Sequence, residues 1–188
     1  MKKLKRYLPS IEDCRDYTLF IDRDGVINQP IINDYARSPS DFKFCEGAQN
    51  ALVQLKEIFG RVILLTNQQG IGKGIMTAQS IENVHLKMYN AIHTSGAYFD
   101  LVLYAPYLSN KNHSWRKPSI GMMKKAKQYF PEINYAKSIM VGDSPGDMAL
   151  ADQIGSIKVK ISNHQFSFTN QDFTFDNLLQ FVTSLSNK

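Results

Sequence analysis

The chain has 188 residues, 43% hydrophobic and 21% charged, with a formal net charge of +5. That length supports one well-buried core and is short for two ordinary domains, so a single domain over residues 1–188 is expected. No window approaches the roughly 18 apolar residues that cross a bilayer, and the basic start MKKLKRYLPS has no apolar stretch behind it. A soluble, cytoplasmic protein with no membrane partner is expected. Cys14 and Cys45 are too few for a disulfide framework and lack C-x-x-C spacing. The lysines are scattered except in MKKLKR and MMKKAKQ. A solvated basic face or an anionic small molecule explains the charge, and no nucleic-acid partner is expected.

The first strand is read in TLFID at 18–22, and it ends in two carboxylates, Asp22 and Asp24, followed by Gly25. Residues 23–45 then form a mixed stretch with Pro30 and Pro39, too long for an ordinary connector and therefore a candidate functional loop. Helical spacing over 47–59 leads to a strand, RVILLT, at 61–66. The following GIGKG at 70–74 resembles a phosphate loop but lacks Ser or Thr after Lys73 and a glycine at Asn67; its glycines are read as turn residues. A helix over 77–96 has Thr77 at its N-cap, and a strand, FDLVLYA, follows at 99–105. The next helix, 119–130, is read with Ser119 as N-cap and Pro131 as its stop. KSIMVGD at 137–143, a short helix at 146–155 and SIKVKI at 156–161 complete the alternation. The tail after Ser162 is polar and Asn-rich, with a weak last helix near DNLLQFVTSLS. Strand alternating with helix predicts the α/β class, a doubly wound parallel sheet with helices on both faces.

In an extended chain, residues two apart share a side, so Asp22 and Asp24 are expected to face one way and Arg23 the other. Ligands of open parallel sheets bind beyond the carboxyl ends of the strands. That rule gathers Asp22 and Asp24 with Thr66, Asn67, Lys117 and Asp143. Three aspartates with a lysine and a hydroxyl suit Mg²⁺ and a phosphate. A carboxylate nucleophile would divide phosphoester hydrolysis through an aspartyl phosphate. The second carboxylate would exchange protons with the leaving oxygen and water, and a like-charged neighbour should raise its pKa.

DRDGVIN, LLTNQQGIGKG, WRKPSIGM and VGDSPGDM, in this order, resemble the four motifs of the haloacid dehalogenase superfamily. The resemblance runs from about Thr18 to Ile161 and extends to its small-cap phosphatases of heptose bisphosphate and histidinol phosphate. It implies a Rossmann-like fold with a minimal cap, Asp22 as nucleophile and Asp24 as general acid/base. Thr66 and Lys117 would hold the phosphoryl oxygens, helped by Asn67. Mg²⁺ would be bound by the Asp22 carboxylate, the Asp24 main-chain carbonyl and Asp143, with Asp147 supporting the site from behind.

Most close relatives of this group carry a structural zinc held by Cys-x-His and Cys-x-Cys-Arg-Lys-Pro. Here APYLSNKNHSWRKP places Ala105, Tyr107, His113 and Trp115 at the four ligand positions. One imidazole does not hold a structural zinc, so none is expected, and Trp115 and Tyr107 offer bulk that could close the loop instead.

The loop DYARSPSDFKF at 34–44 resembles the segment covering the site in heptose bisphosphate phosphatases. Arg116, and with it Arg37, could hold a second phosphate through the guanidinium fork, or pair with nearby acids. The first expectation is removal of the 7-phosphate of D-glycero-D-manno-heptose 1,7-bisphosphate, a precursor for lipopolysaccharide or surface glycans. Histidinol phosphate is the alternative, for which Glu46 or Asp34 would have to meet the amine. A nucleic-acid 3′-phosphatase and a catalytically silent phosphosugar-binding protein are further alternatives. A monomer is the default oligomeric state.

Overall fold

The computed structural model describes residues 6–162 and 167–186; the basic start and the Asn-rich start of the tail fall largely outside them. Six parallel strands form one sheet: β1 (Thr18–Ile21), β2 (Arg61–Asn67), β3 (Leu101–Ala105), β4 (Ser138–Gly142), β5 (Ile157–Ile161) and β6 (Phe173–Phe175), in the order β3-β2-β1-β4-β5-β6. The helices are α1 (Ile11–Cys14), α2 (Ala48–Ile58), α3 (Gln69–Gly72), α4 (Ala78–His93), α5 (Gly121–Tyr129), α6 (Pro145–Ile154) and α7 (Leu178–Ser186).

Alternation along each strand divides the interior into two cores. Leu19, Ile21, Val62, Leu64, Ile139 and Val141 point to one face, where α2, α4 and α7 bring Leu52, Leu55, Val84, Met88, Phe181 and Val182. Phe20, Ile63, Leu65 and Met140 point to the other, covered by Met122 and Met123 of α5 and Leu150 and Ala151 of α6. Strands buried on both faces are near-continuously apolar, which is why these runs stand out in the sequence. The sheet is doubly wound as expected.

Several local signals act as read. Thr77 caps α4, accepting from the Ser80 amide at 3.0 Å, and α5 ends before Pro131. Ser119 does not cap α5. Its amide instead donates to Arg116 O at 2.7 Å, closing a turn, and α5 starts two residues later at Gly121. A side chain at Gly121 would meet the Ser114 carbonyl at 2.3 Å, so only glycine fits this turn. The last helix is firmer than its sequence suggests, burying Leu178, Phe181, Val182 and Leu185. The edge strand β6 and the short α1 and α3 escape a reading by periodicity because each has only three or four residues.

The sheet order turns at β1, which pairs in register with β2 on one side (Ile21 with Leu64) and β4 on the other (Ile21 with Val141). A crevice therefore opens at the carboxyl end of β1. The long stretch after β1 leaves this end and returns to it. The Gln29 amide donates to Lys43 O and the Cys45 amide to Ile27 O, each at 2.8 Å, closing its base. Lys87 of α4 fastens its far side by donating to the carbonyls of Pro39 and Phe42.

Candidate active site

A cavity of about 210 Å³ lies at this crevice, lined among others by Asp22, Asp24, Thr66, Asn67, Arg116, Lys117 and Asp143. The carboxyl ends of three adjacent strands supply Asp22, Thr66 and Asp143, so residues more than a hundred positions apart converge there. Pro30, Ile31, Asp34, Tyr35 and Ala36 form a wall from the returning loop, the position of a small cap.

Asp22 is buried, and its amide donates to Val141 O at 2.9 Å, which fixes it against β4. Its Oδ1 accepts from the Arg23 amide at 2.8 Å and meets Lys117 Nζ at 2.8 Å. Burial pushes the Asp22 carboxyl up to about 7; the Lys117 ammonium opposes the rise and Asp147 adds to it. Lys117 Nζ also meets Asp147 Oδ1 at 2.7 Å and donates to Leu65 O at 2.7 Å. Burial alone would lower this lysine, but Asp147 and Asp22 outweigh it and raise the pKa, so the ammonium stays charged.

Asp147 is fully buried and does not line the cavity; its other oxygen accepts from the Ser144 amide and hydroxyl at 3.1 and 2.7 Å. It sits behind the lysine. Asn67 lines the cavity, yet its amide group clasps the main chain of Lys117, accepting from its N–H at 3.0 Å and donating to its carbonyl at 3.1 Å. Asn67 therefore sets where the lysine enters. The Lys117–Pro118 peptide is cis.

Asp24 corrects two expectations. Arg23 does not turn away from the acids: fully buried, it folds back and donates to both Asp24 oxygens at 2.8 and 2.9 Å. Strand alternation stops applying because β1 ends at Ile21, and the Arg23 carbonyl then accepts from the amides of Val26, Ile27 and Asn28 in a tight turn. Asp24 also accepts from Asn28 at 3.0 Å and Gln68 at 2.7 Å. Burial alone would raise its pKa. The Arg23 charge and these hydrogen bonds reverse that and hold the carboxyl below its usual range. The raised group of the pair is Asp22.

Two residues of this network gave no signal in the sequence. Gln68 donates to both Asp24 and the Thr66 hydroxyl, at 2.7 and 2.9 Å. His85 of α4 lies 3.1 Å from Arg23 Nη1 through Nε2, and burial, with Arg23 adding to it, pushes its pKa down to about 3. Since a guanidinium only donates, Nε2 accepts and the imidazole is neutral.

Arg116 reaches the cavity, with one guanidinium arm donating to Tyr107 O at 3.2 Å; burial lowers its pKa, but it remains a cation. Arg37 does not line the cavity. Its Nε donates to Asp34 at 3.0 Å on the same loop, a local pairing that takes it from the role of a second phosphate contact.

Carboxylate oxygens of Asp22, Asp143 and Asp147 lie within 4.8 Å of one another. Asp147 is taken up by Lys117, whereas Asp22 and Asp143 line the cavity, and these two hard oxygen donors beside an open space fit a Mg²⁺ ion. The zinc positions do not fit that metal. Ala105 is buried, the Tyr107 and His113 rings stack at 3.3 Å between centroids, and His113 Nδ1 accepts from the Trp115 amide at 3.2 Å. Trp115 packs against the second core.

Comparison with known proteins agrees with this geometry. The family model described as polynucleotide kinase 3 phosphatase matches residues 19–185. A D-glycero-alpha-D-manno-heptose-1,7-bisphosphate 7-phosphatase of Mycobacterium bovis is 30% identical, with 90% of this chain and 91% of that protein covered. The beta-anomer enzyme of Neisseria meningitidis is 29% identical over 87% of this chain and 91% of its own. A crystal structure of a D,D-heptose 1,7-bisphosphate phosphatase from B. bronchiseptica, complexed with magnesium and phosphate, shares the fold with a TM-score of 0.82. It is 24% identical and covers 90% of this chain and 98% of its own. With four motifs meeting at one crevice and the family model matched almost end to end, the chain belongs to the polynucleotide kinase 3 phosphatase family of haloacid dehalogenase-like phosphatases.

Proposed function

We propose that the protein removes the 7-phosphate of D-glycero-D-manno-heptose 1,7-bisphosphate, using Mg²⁺. The observation that carries this reading is Arg116 in the wall of the cavity that holds Asp22, so one pocket offers a phosphoryl-transfer end and a second anion contact. The names of the relatives point the same way. For histidinol phosphate, the carboxylate that could meet the amine is Asp34, and Arg37 already neutralises it. Cytoplasmic location and a monomeric state belong to the same reading.

Asp24, ionised in the free site, takes up the proton that the buried Asp22 carboxyl releases as the phosphate binds; Asp22 then attacks phosphorus as the bond to the sugar oxygen breaks, and Asp24 gives that oxygen the proton. Water then attacks the phosphoaspartate, Asp24 takes its proton, and the bond to Asp22 breaks to release phosphate. Thr66 and Lys117 hold the phosphoryl oxygens, and Asn67 holds Lys117. The Asp22 carboxylate, the Asp24 carbonyl and Asp143 would hold Mg²⁺, which offsets the charge of the phosphoryl group.

The test is phosphate release from the heptose bisphosphate, the heptose 1-phosphate, histidinol phosphate and a 3′-phosphorylated oligonucleotide. Loss of one phosphate from the bisphosphate, faster than from any other, is expected. Faster hydrolysis of the oligonucleotide or of histidinol phosphate would replace this reading. Arg116→Ala is expected to raise KM for the bisphosphate by about 10- to 100-fold, the worth of one charge-assisted contact. A KM within twofold of the unaltered enzyme would remove Arg116 from substrate recognition.

Chelation should abolish turnover and excess Mg²⁺ restore it, while Asp143→Asn should need at least about tenfold more Mg²⁺ for half-maximal rate. We further propose that Tyr107, His113 and Trp115 close their loop without zinc. Zinc stoichiometry of the purified protein checks this, and one zinc per chain would refute it.

A further inference from the structure

We propose that His85 is a positioning residue for Asp24, acting through Arg23. The inference rests on the reading of Asp24 as the proton-exchanging group. Arg23 is wholly buried, and one edge of its guanidinium grips both oxygens of Asp24 at 2.8 and 2.9 Å. The remaining arm, Nη1, meets His85 Nε2 at 3.1 Å. A buried guanidinium with an unsatisfied arm turns toward whatever acceptor it can reach, because leaving a donor unpaired is costly. His85 satisfies that arm from α4, and neither it nor Arg23 lines the cavity. The Tyr104 ring lies edge-on to the imidazole, with centroids 6.0 Å apart, which limits its rotation.

The chemistry gives this brace a purpose. Asp24 has to point one oxygen at the departing sugar oxygen, and its direction is set by the fork that holds it. A second set of contacts, from Asn28 and Gln68, uses amide N–H groups toward Asp24 and leaves Asn28 Oδ1 and Gln68 Oε1 buried with no hydrogen-bond partner. Three side chains thus present donors to Asp24, and His85 is the acceptor that keeps the strongest of them in place. His85 stands 61 residues beyond Asp24 in the chain and touches the reacting groups only through Arg23.

The test is single-turnover cleavage by His85→Ala, His85→Gln and Asp24→Asn, with saturating Mg²⁺ and with melting temperature as a check on folding. Two substrates are compared: the heptose bisphosphate, whose alkoxide leaving group needs a proton, and 4-nitrophenyl phosphate, whose leaving group does not. His85→Ala is expected to slow cleavage of the sugar phosphate by about tenfold at unchanged KM, and that of 4-nitrophenyl phosphate by less than about twofold. His85→Gln, whose carboxamide oxygen can accept from Arg23, should restore the sugar-phosphate rate to within about threefold. Equal slowing of both substrates, no slowing of either, or failure of the glutamine to restore the rate would overturn the proposal. Undiminished sugar-phosphate cleavage by Asp24→Asn would instead overturn the role given to Asp24 itself.

Discussion

Asp22→Asn is expected to abolish turnover and, at pH 8 without metal, to raise the melting temperature. The loss follows from chemistry, because an amide is a poor nucleophile toward phosphorus and cannot form the aspartyl phosphate; at least about 10⁴-fold in kcat should go. The gain follows from burial. The carboxyl has an ordinary value of 3.8 and is pushed up to about 7 in the folded chain. A raised acid contributes stability that is fully present below the unfolded value and is lost as pH rises through the folded one. Between about pH 4 and 7, therefore, the metal-free protein should lose stability through this group, and the asparagine variant should not. At pH 8 the variant should melt about 5 °C higher, while at pH 4 the two should coincide. Mg²⁺ should narrow the difference by stabilising only the ionised carboxylate of the parent. Equal melting curves at pH 8 would mean that Lys117 already compensates the buried charge in full.

The pattern that makes this site legible in sequence is the placement of its residues at strand ends. Asp22, Thr66 and Asp143 each follow an apolar run, and the rule that parallel sheets bind ligands at their carboxyl ends joins them without knowledge of distance. Lys117 follows β3 by a longer loop, but still on the same end. What is not legible depends on contacts between side chains from separate elements. Gln68 reaches back 44 positions to Asp24, and His85 62 positions to Arg23. Neither has a local pattern to announce it. Strand alternation puts Arg23 on the wrong side because the period of two belongs to strands, and the strand ends one residue before the motif begins. Arg37 fails for a different reason: an acid three residues away was a nearer partner than any ligand. The direction of the Asp24 shift depends on that same Arg23 contact, so it too is a property of the fold.

Lys117→Met should cost the protein both activity and a large share of its stability. The lysine is buried between two carboxylates, 2.8 Å from Asp22 and 2.7 Å from Asp147, and donates to the Leu65 carbonyl as well. Methionine has a similar length and no charge, so the cavity stays filled while Asp22 and Asp147 face each other without an intervening cation. Removing one partner of a buried ionic cluster costs about 3–5 kcal/mol, since the remaining charges lose compensation and not merely a contact. For a chain of this size that corresponds to a fall in melting temperature of about 10 °C or more. Loss of turnover alone would not separate a collapsed site from a missing phosphate contact, so the double variant Lys117→Met with Asp22→Asn is the informative comparison. Removing the second charge relieves the repulsion, so the double variant should be more stable than the sum of the two single effects by about 2 kcal/mol of coupling. If the two substitutions simply add, the lysine is not the group that makes burial of Asp22 tolerable, and the Asn67 clasp on its main chain would be the main support of this corner of the site. The expected non-additivity would instead show that Lys117 has two tasks in one position: it holds a phosphoryl oxygen during turnover and, before substrate arrives, it keeps two buried carboxylates compatible with the fold.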